Sequence, residues 1–118
     1  MTRVFVYGTL MRGGSNHAFL SGQRFVAAAR TPAGYTLFAL EGYPGMVRAA
    51  ADRAGVRGEL WTVDDACLRE LDALEGVAEG LYERATIRLA EPPGVTADTY
   101  LYRRDLTGRP PLGDSWPG

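Results

Sequence analysis

The sequence predicts an α+β domain built mainly on an antiparallel sheet. Short runs rich in β-branched and aromatic residues outnumber helical ones. They are joined by Gly- and Pro-containing turns rather than by crossover helices. Only residues 64–75 carry a convincing helical pattern. A chain of 118 residues is long enough for one domain with a real core, and 46% hydrophobic with 23% charged residues is ordinary globular composition.

Residues 3–7 make the first strand, because Val4, Phe5 and Val6 favour a pleated, largely buried conformation. Gly8 ends it, and without a Cβ it would let a ligand approach the backbone. Two readings of the next residues stand. They are an ordinary turn, or the amides of Thr9, Leu10 and Met11 converge on an anion-binding concavity with the Thr9 hydroxyl beside them. After a loop at Gly13-Gly14, Ser15 or Asn16 caps a short helix running to about Leu20. His17 at its start is better placed to brace the 7–10 loop than to catalyse. Strands follow at 24–29 and 35–40, joined by a turn at Thr31-Pro32-Ala33-Gly34. A second turn, Glu41 to Gly45, leads to a short strand over Met46 to Ala49. Tyr43-Pro44 is either a rigid turn or the lip of a pocket.

Val56 to Val63 alternates as a strand, and Gly58 within it signals a bulge or close packing. Glu59 on this strand faces either solvent or a cavity. Asp64 or Asp65 caps the helix, which runs to about Leu74 or Glu75, with Gly76 as its stop. At about 100° per residue, Cys67, Leu68, Leu71 and Leu74 form one apolar arc, and Glu75 falls inside it about 20° from Leu68. An acid there, in the last turn, meets both desolvation and the negative end of the helix dipole, which raise a carboxyl pKa. Alternatively the helix has frayed by Glu75 and water solvates it. Strands at 82–89 and 96–102 pair around Glu91-Pro92-Pro93-Gly94. Tyr82, just past the Glu75 loop, is the tyrosine best placed to reach a site. From about residue 105 the Pro- and Gly-rich tail reads as irregular, which leaves residues 1–118 as a single domain.

Composition removes several chemistries. All 13 basic residues are arginine, so neither a Schiff-base lysine nor a Walker lysine exists. With His17 the only histidine and Cys67 the only cysteine, a His/Cys metal site and an internal disulfide are not expected. No Gly-x-Ser-x-Gly elbow accompanies Ser15 or Ser21. A net charge of −1 and the lack of a membrane-length apolar run argue against nucleic acid and membrane partners. The expected location is the cytoplasm. Carboxylates, tyrosines, hydroxyls and backbone amides remain as working groups.

Four motifs occur in order: Tyr7-Gly8-Thr9-Leu10 with Arg12-Gly13 and Asn16-His17; Gly58-Glu59-Leu60-Trp61; Leu71-Asp72-Ala73-Leu74-Glu75-Gly76; and Tyr82-Glu83-Arg84. This set resembles the gamma-glutamyl cyclotransferase-like (AIG2-like) family from about residue 3 to about residue 103. The Asn16-His17 opening is nearest the gamma-glutamylamine cyclotransferase branch, while Met11 stands where relatives often carry a basic residue. The resemblance implies a small, partly closed, mostly antiparallel β-barrel with flanking helices and a cavity at one end. It also implies Glu75 as the catalytic acid/base, with Tyr7, Gly8, Thr9 and Leu10 as the substrate-binding loop and Tyr82 beside them. The implied reaction is release of 5-oxoproline from a gamma-glutamyl amine or gamma-glutamyl amino acid by intramolecular aminolysis, with no metal and no cofactor. The partner expected is that small-molecule substrate, for a monomer or homodimer. A non-catalytic domain holding a small acidic metabolite in the same cavity is the alternative.

Overall fold

The computed structural model describes residues 1–117. Its strands are β1 (Thr2–Val6), β2 (Arg24–Arg30), β3 (Tyr35–Ala39), β4 (Pro44–Arg48), β5 (Arg57–Val63), β6 (Tyr82–Arg88), β7 (Thr96–Tyr102) and β8 (Pro111–Gly113). One α-helix, α1 (Asp65–Leu74), lies between β5 and β6. The strands form a single curled sheet in the order β2-β5-β1-β7-β4-β3-β8, with β6 also on β7. Five of the pairings described are antiparallel, and β7 pairs in parallel with both β1 and β4. The fold is the expected α+β half-barrel.

β6 occupies one edge of β7 along its whole length, Tyr82 opposite Tyr102 through Arg88 opposite Thr96. β1 and β4 must therefore share the other edge. β1 meets it at Val4–Asp98 and β4 at Met46–Leu101. The sheet forks there, and the chain leaving β1 at Tyr7 faces the chain entering β4 at Pro44. At the opposite seam, Asp114 beyond β8 draws the two ends of the sheet together. It accepts from the Arg57 amide at 2.8 Å through its carbonyl, and its carboxylate lies 3.2 Å from Arg57 Nε and 3.7 Å from Arg30 Nη2.

Period-two alternation sends side chains to two cores. Phe5, Leu37, Met46, Leu60, Ile87 and Leu101 fill the inside of the curl. Val4, Val6, Trp61, Val63, Tyr82 and Tyr100 face out to meet Cys67 and Leu71 of α1. The Val4–Val6 part of β1 is buried on both faces, which is why it reads as an apolar run.

Three expectations change. The segment capped near Asn16 is a four-residue 3₁₀ turn, His17–Leu20, closed by i→i+3 bonds. Asn16 does not cap it, because its side chain is committed to Thr9. β4 begins at Pro44, two residues before the expected start. The tail is not wholly irregular: β8 pairs with β3, and Leu112 and Trp116 pack on the inner core. Pro110 and Pro111 have no N–H, but an edge strand can use their carbonyls, and Ala39 N donates to Pro110 O at 2.8 Å. Gly58 marks close packing against Val6 and the Phe5 ring, while the register shift of this pair falls on β2 between Phe25 and Ala27.

Candidate active site

Asp64 caps α1 by accepting from Cys67 N at 2.7 Å. The helix ends at Leu74, yet Glu75 keeps right-handed helical angles (φ −83°, ψ 0°), so it stays on the inward arc and has not frayed into solvent. Gly76 then takes φ +64°, the left-handed turn that stops the helix. As the arc predicts, Leu71 is buried, and Arg69, Glu70 and Ala73 are exposed.

Glu75 opens into a cleft of about 300 Å³ at the fork of the sheet. Tyr7, Gly8, Thr9, Leu10 and Tyr82 line the same cleft, so all six residues expected at a site meet there. Tyr43 and Pro44 form its lip, as one sequence reading had it, and Ser15, Asn16, Leu81 and Tyr100 were not anticipated. The signal for Tyr100 was present only as a sheet aromatic. Its approach to Glu75 comes from β6–β7 pairing under α1.

Burial pushes the Glu75 carboxyl up to about 7. Among the described residues no cation lies within ion-pair distance of it, so nothing offsets the desolvation. The Tyr7, Tyr82 and Tyr100 phenols are likewise raised, by burial first and by the Glu75 charge in addition.

Those phenols are structural donors. Tyr7 Oη sits in the fork, donating to Tyr100 O at 2.6 Å and accepting from Met46 N at 3.2 Å. It thereby ties β1 to β7 and β4 where no ladder can. Tyr82 Oη donates to Pro44 O at 2.8 Å, and Tyr100 Oη to Asp72 Oδ1 at 2.7 Å. Tyr7 and Tyr82 thus offer the cleft their rings more than their O–H groups.

The 7–10 loop differs from the expected three-amide concavity in one respect. Met11 N donates to Gly8 O at 3.1 Å and closes a β-turn, so it is not free for a ligand. The amides of Thr9 and Leu10 find no acceptor among the described residues. Thr9 Oγ1 accepts from Asn16 Nδ2 at 3.0 Å, which leaves its own proton to donate. A Cβ on Gly8 would lie 2.6 Å from Pro44 Cγ, so the close approach that requires glycine is made by the Pro44 ring. His17 Nδ1 is 3.0 Å from Leu10 O, the bracing position expected of it.

Glu59 lines neither the cleft nor open solvent. Its carboxylate takes Arg12 N and Trp61 Nε1 at 3.1 Å each on Oε1, and Arg12 Nε at 3.0 Å on Oε2. The Arg12 guanidinium also stacks over Phe25, 3.8 Å from the ring centroid. Burial alone would raise the Glu59 pKa, but these hydrogen bonds and the Arg12 charge bring it below the ordinary value. Glu59 is an anchor for the loop after Leu10.

Residues 4–117 match the family described as Gamma-glutamyl cyclotransferase, AIG2-like. A Vibrio cholerae protein provisionally named a gamma-glutamylcyclotransferase is 41% identical over 100 residues, covering 85% of this chain and 81% of that one. Human gamma-glutamylaminecyclotransferase is 34% identical over 122 residues, covering 88% of this chain and 79% of the human protein. The crystal structure of an AIG2-like protein from Mus musculus superposes with a TM-score of 0.75 at 28% identity, covering 86% of this chain and 76% of the mouse chain.

Proposed function

The chain belongs to the gamma-glutamyl cyclotransferase, AIG2-like family, and we propose that it cyclises a gamma-glutamyl amine or amino acid to 5-oxoproline, with Glu75 carrying the proton. The observation that supports this most is a desolvated, unpaired glutamate facing a loop with free amides across one cleft.

In this reading the substrate α-amine attacks its own γ-carbonyl. A C–N bond forms within the ring, the original amide C–N bond breaks, and an amine leaves. The protein curls the substrate and moves one proton. Curling can supply several kcal/mol, on the order of 7 or more at best for well-oriented groups. The Thr9 and Leu10 amides and the Thr9 hydroxyl suit an anion, which is either the substrate α-carboxylate or the oxyanion of the tetrahedral intermediate.

The proton step depends on Glu75. An ordinary glutamate near 4.3 is a weak base toward an α-amine near 7.8, a deficit of roughly 5 kcal/mol. With Glu75 near 7 that deficit falls to about 1 kcal/mol. The carboxylate takes the proton from the attacking nitrogen, which becomes more acidic as it bonds to carbon, and hands it to the leaving amine.

A panel of gamma-glutamyl amines and gamma-glutamyl amino acids tests the reading. Release of 5-oxoproline, undiminished by EDTA, is the expected result. Glutamate as product would mean hydrolysis. Saturable binding of an acidic compound without turnover would mean a binding domain.

A further inference from the structure

Two of the family motifs contain charged residues that the proposed chemistry does not use, Asp72 and Arg84. Arg84 Nε donates to Asp72 Oδ1 at 2.9 Å and Arg84 Nη1 to Asp98 Oδ2 at 2.7 Å. Asp72 Oδ1 also accepts from Tyr100 Oη at 2.7 Å. Tyr100, 2% exposed, lines the cleft. Among the described residues, Asp72 is the only α1 side chain hydrogen-bonded to a strand. The other α1 side-chain bond, Cys67 Sγ to Phe19 O, reaches the 3₁₀ turn at the far end of the helix.

We propose that Asp72 is a positioning residue: held by Tyr100 on β7 and Arg84 on β6, it fixes the last turn of α1 so that Glu75 projects into the cleft. Asp72 and Glu75 are three residues apart and so lie on adjoining faces of one turn. The backbone bonds of that turn run within residues 71–77, from Glu75 N to Leu71 O, Gly76 N to Ala73 O and Val77 N to Asp72 O, and none of them reaches the sheet. With the tie to the sheet removed, that turn can swing outward and water can reach the carboxyl. The inference rests on the reading of Glu75 as proton carrier, but its geometry can be measured without turnover.

The titratable groups sharing the cleft with Glu75 are Tyr7 from the loop after β1, Tyr43 from the turn before β4, Tyr82 from β6 and Tyr100 from β7. Asp72 lies on its own helix. Removing the Asp72 charge would alone lower a neighbouring carboxyl pKa. Tyr100→Phe avoids this, because it keeps the ring and the Asp72 charge and deletes only the hydrogen bond. The experiment is a pH titration of the Glu75 side-chain carboxyl by 13C NMR in the intact protein, assigned with Glu75→Gln. It is paired with kcat and KM for Tyr100→Phe, Asp72→Asn and the double variant.

In Tyr100→Phe the midpoint should fall by about one unit toward the ordinary carboxyl range. kcat should fall about tenfold, with KM within about threefold. The double variant should be no worse than Asp72→Asn alone, since the bond that Tyr100→Phe deletes is one that Asp72→Asn already disrupts. A Tyr100→Phe midpoint and kcat indistinguishable from wild type would overturn the proposal, as would effects of the two substitutions that simply add. If Asp72→Asn does not fold, Tyr100→Phe alone decides. A midpoint that falls in a protein releasing no 5-oxoproline would uphold the positioning role and reject the reaction.

Discussion

Glu75 and Glu59 flank the same loop, but their surroundings drive them apart. Glu75 has burial without a cation, and its pKa rises. Glu59 has burial with three donated hydrogen bonds and a guanidinium, and its pKa falls. Their glutamine variants should therefore differ in kind. Glu75→Gln should lower kcat by about 10²–10⁴ with KM little changed. Wild-type kcat/KM should rise with pH through about 7, and the variant should lose that limb. Because the folded pKa of Glu75 is raised, its contribution to stability is full below the unfolded value and is lost as pH climbs through about 7. Glu75→Gln should therefore hold or gain stability at pH 8, by up to about 3 kcal/mol in urea titrations. The exposed Glu70 and Glu79 serve as controls, and neither glutamine variant should lose more than about threefold. Glu59→Gln should instead raise KM about tenfold with kcat nearly kept, because it loosens the loop and leaves Arg12 Nε facing an amide N–H. Glu59 has a depressed pKa, so its stabilisation is present at neutral pH and is lost as pH falls through that value. A kcat loss in Glu59→Gln matching that of Glu75→Gln would reverse the assignment.

At the scale of elements, α1 matters for where it stops. Gly76 at φ +64° terminates it one residue after Glu75, and a Cβ there would sit 3.1 Å from Leu81 Cβ. Gly76→Ala should cost about 1–2 kcal/mol for the left-handed backbone, read as a lower denaturation midpoint. It should also lower kcat, since the last turn must shift to relieve the Leu81 contact. A variant with full stability and activity would show that the turn tolerates the shift. The 7–10 turn follows the same logic. Gly8 is needed because Pro44 presses on it, so the loop and the cleft lip hold each other in place.

For the whole molecule, the barrel is open as a hydrogen-bonded ladder but closed by the C-terminal segment. Asp114 bridges Arg30 and Arg57, while Leu112 and Trp116 cover the inner core. Deleting residues 109–118 should lower stability by roughly 2–4 kcal/mol, the order of burying two partly covered apolar side chains. It should also raise binding of an apolar dye, because the inner core loses two side chains packed against it. A truncated chain with unchanged urea midpoint and dye binding would show that the seam is not a stabilising element.

The features legible in the chain were local. Alternation located the strands, with Thr96–Tyr102 matching to the residue. Asp64 and Gly76 marked the ends of α1 through capping and backbone geometry that a short stretch contains. The apolar arc even placed Glu75 on the buried side. Which of these local features meet was set by long-range pairing. The parallel pairing of β7 with both β1 and β4 depends on contacts far apart in the chain, and it creates the fork that becomes the cleft. Glu59 read equally as a solvent or cavity acid until Arg12, 47 residues away, was seen to occupy its carboxylate. Met11 was available as a ligand donor until the turn consumed its amide. β8 was hidden because prolines score against a strand, whereas an edge position on β3 needs only their carbonyls. Propensity reports what a residue prefers among its neighbours in sequence, and a hydrogen-bond partner or a desolvating wall is supplied by neighbours in space.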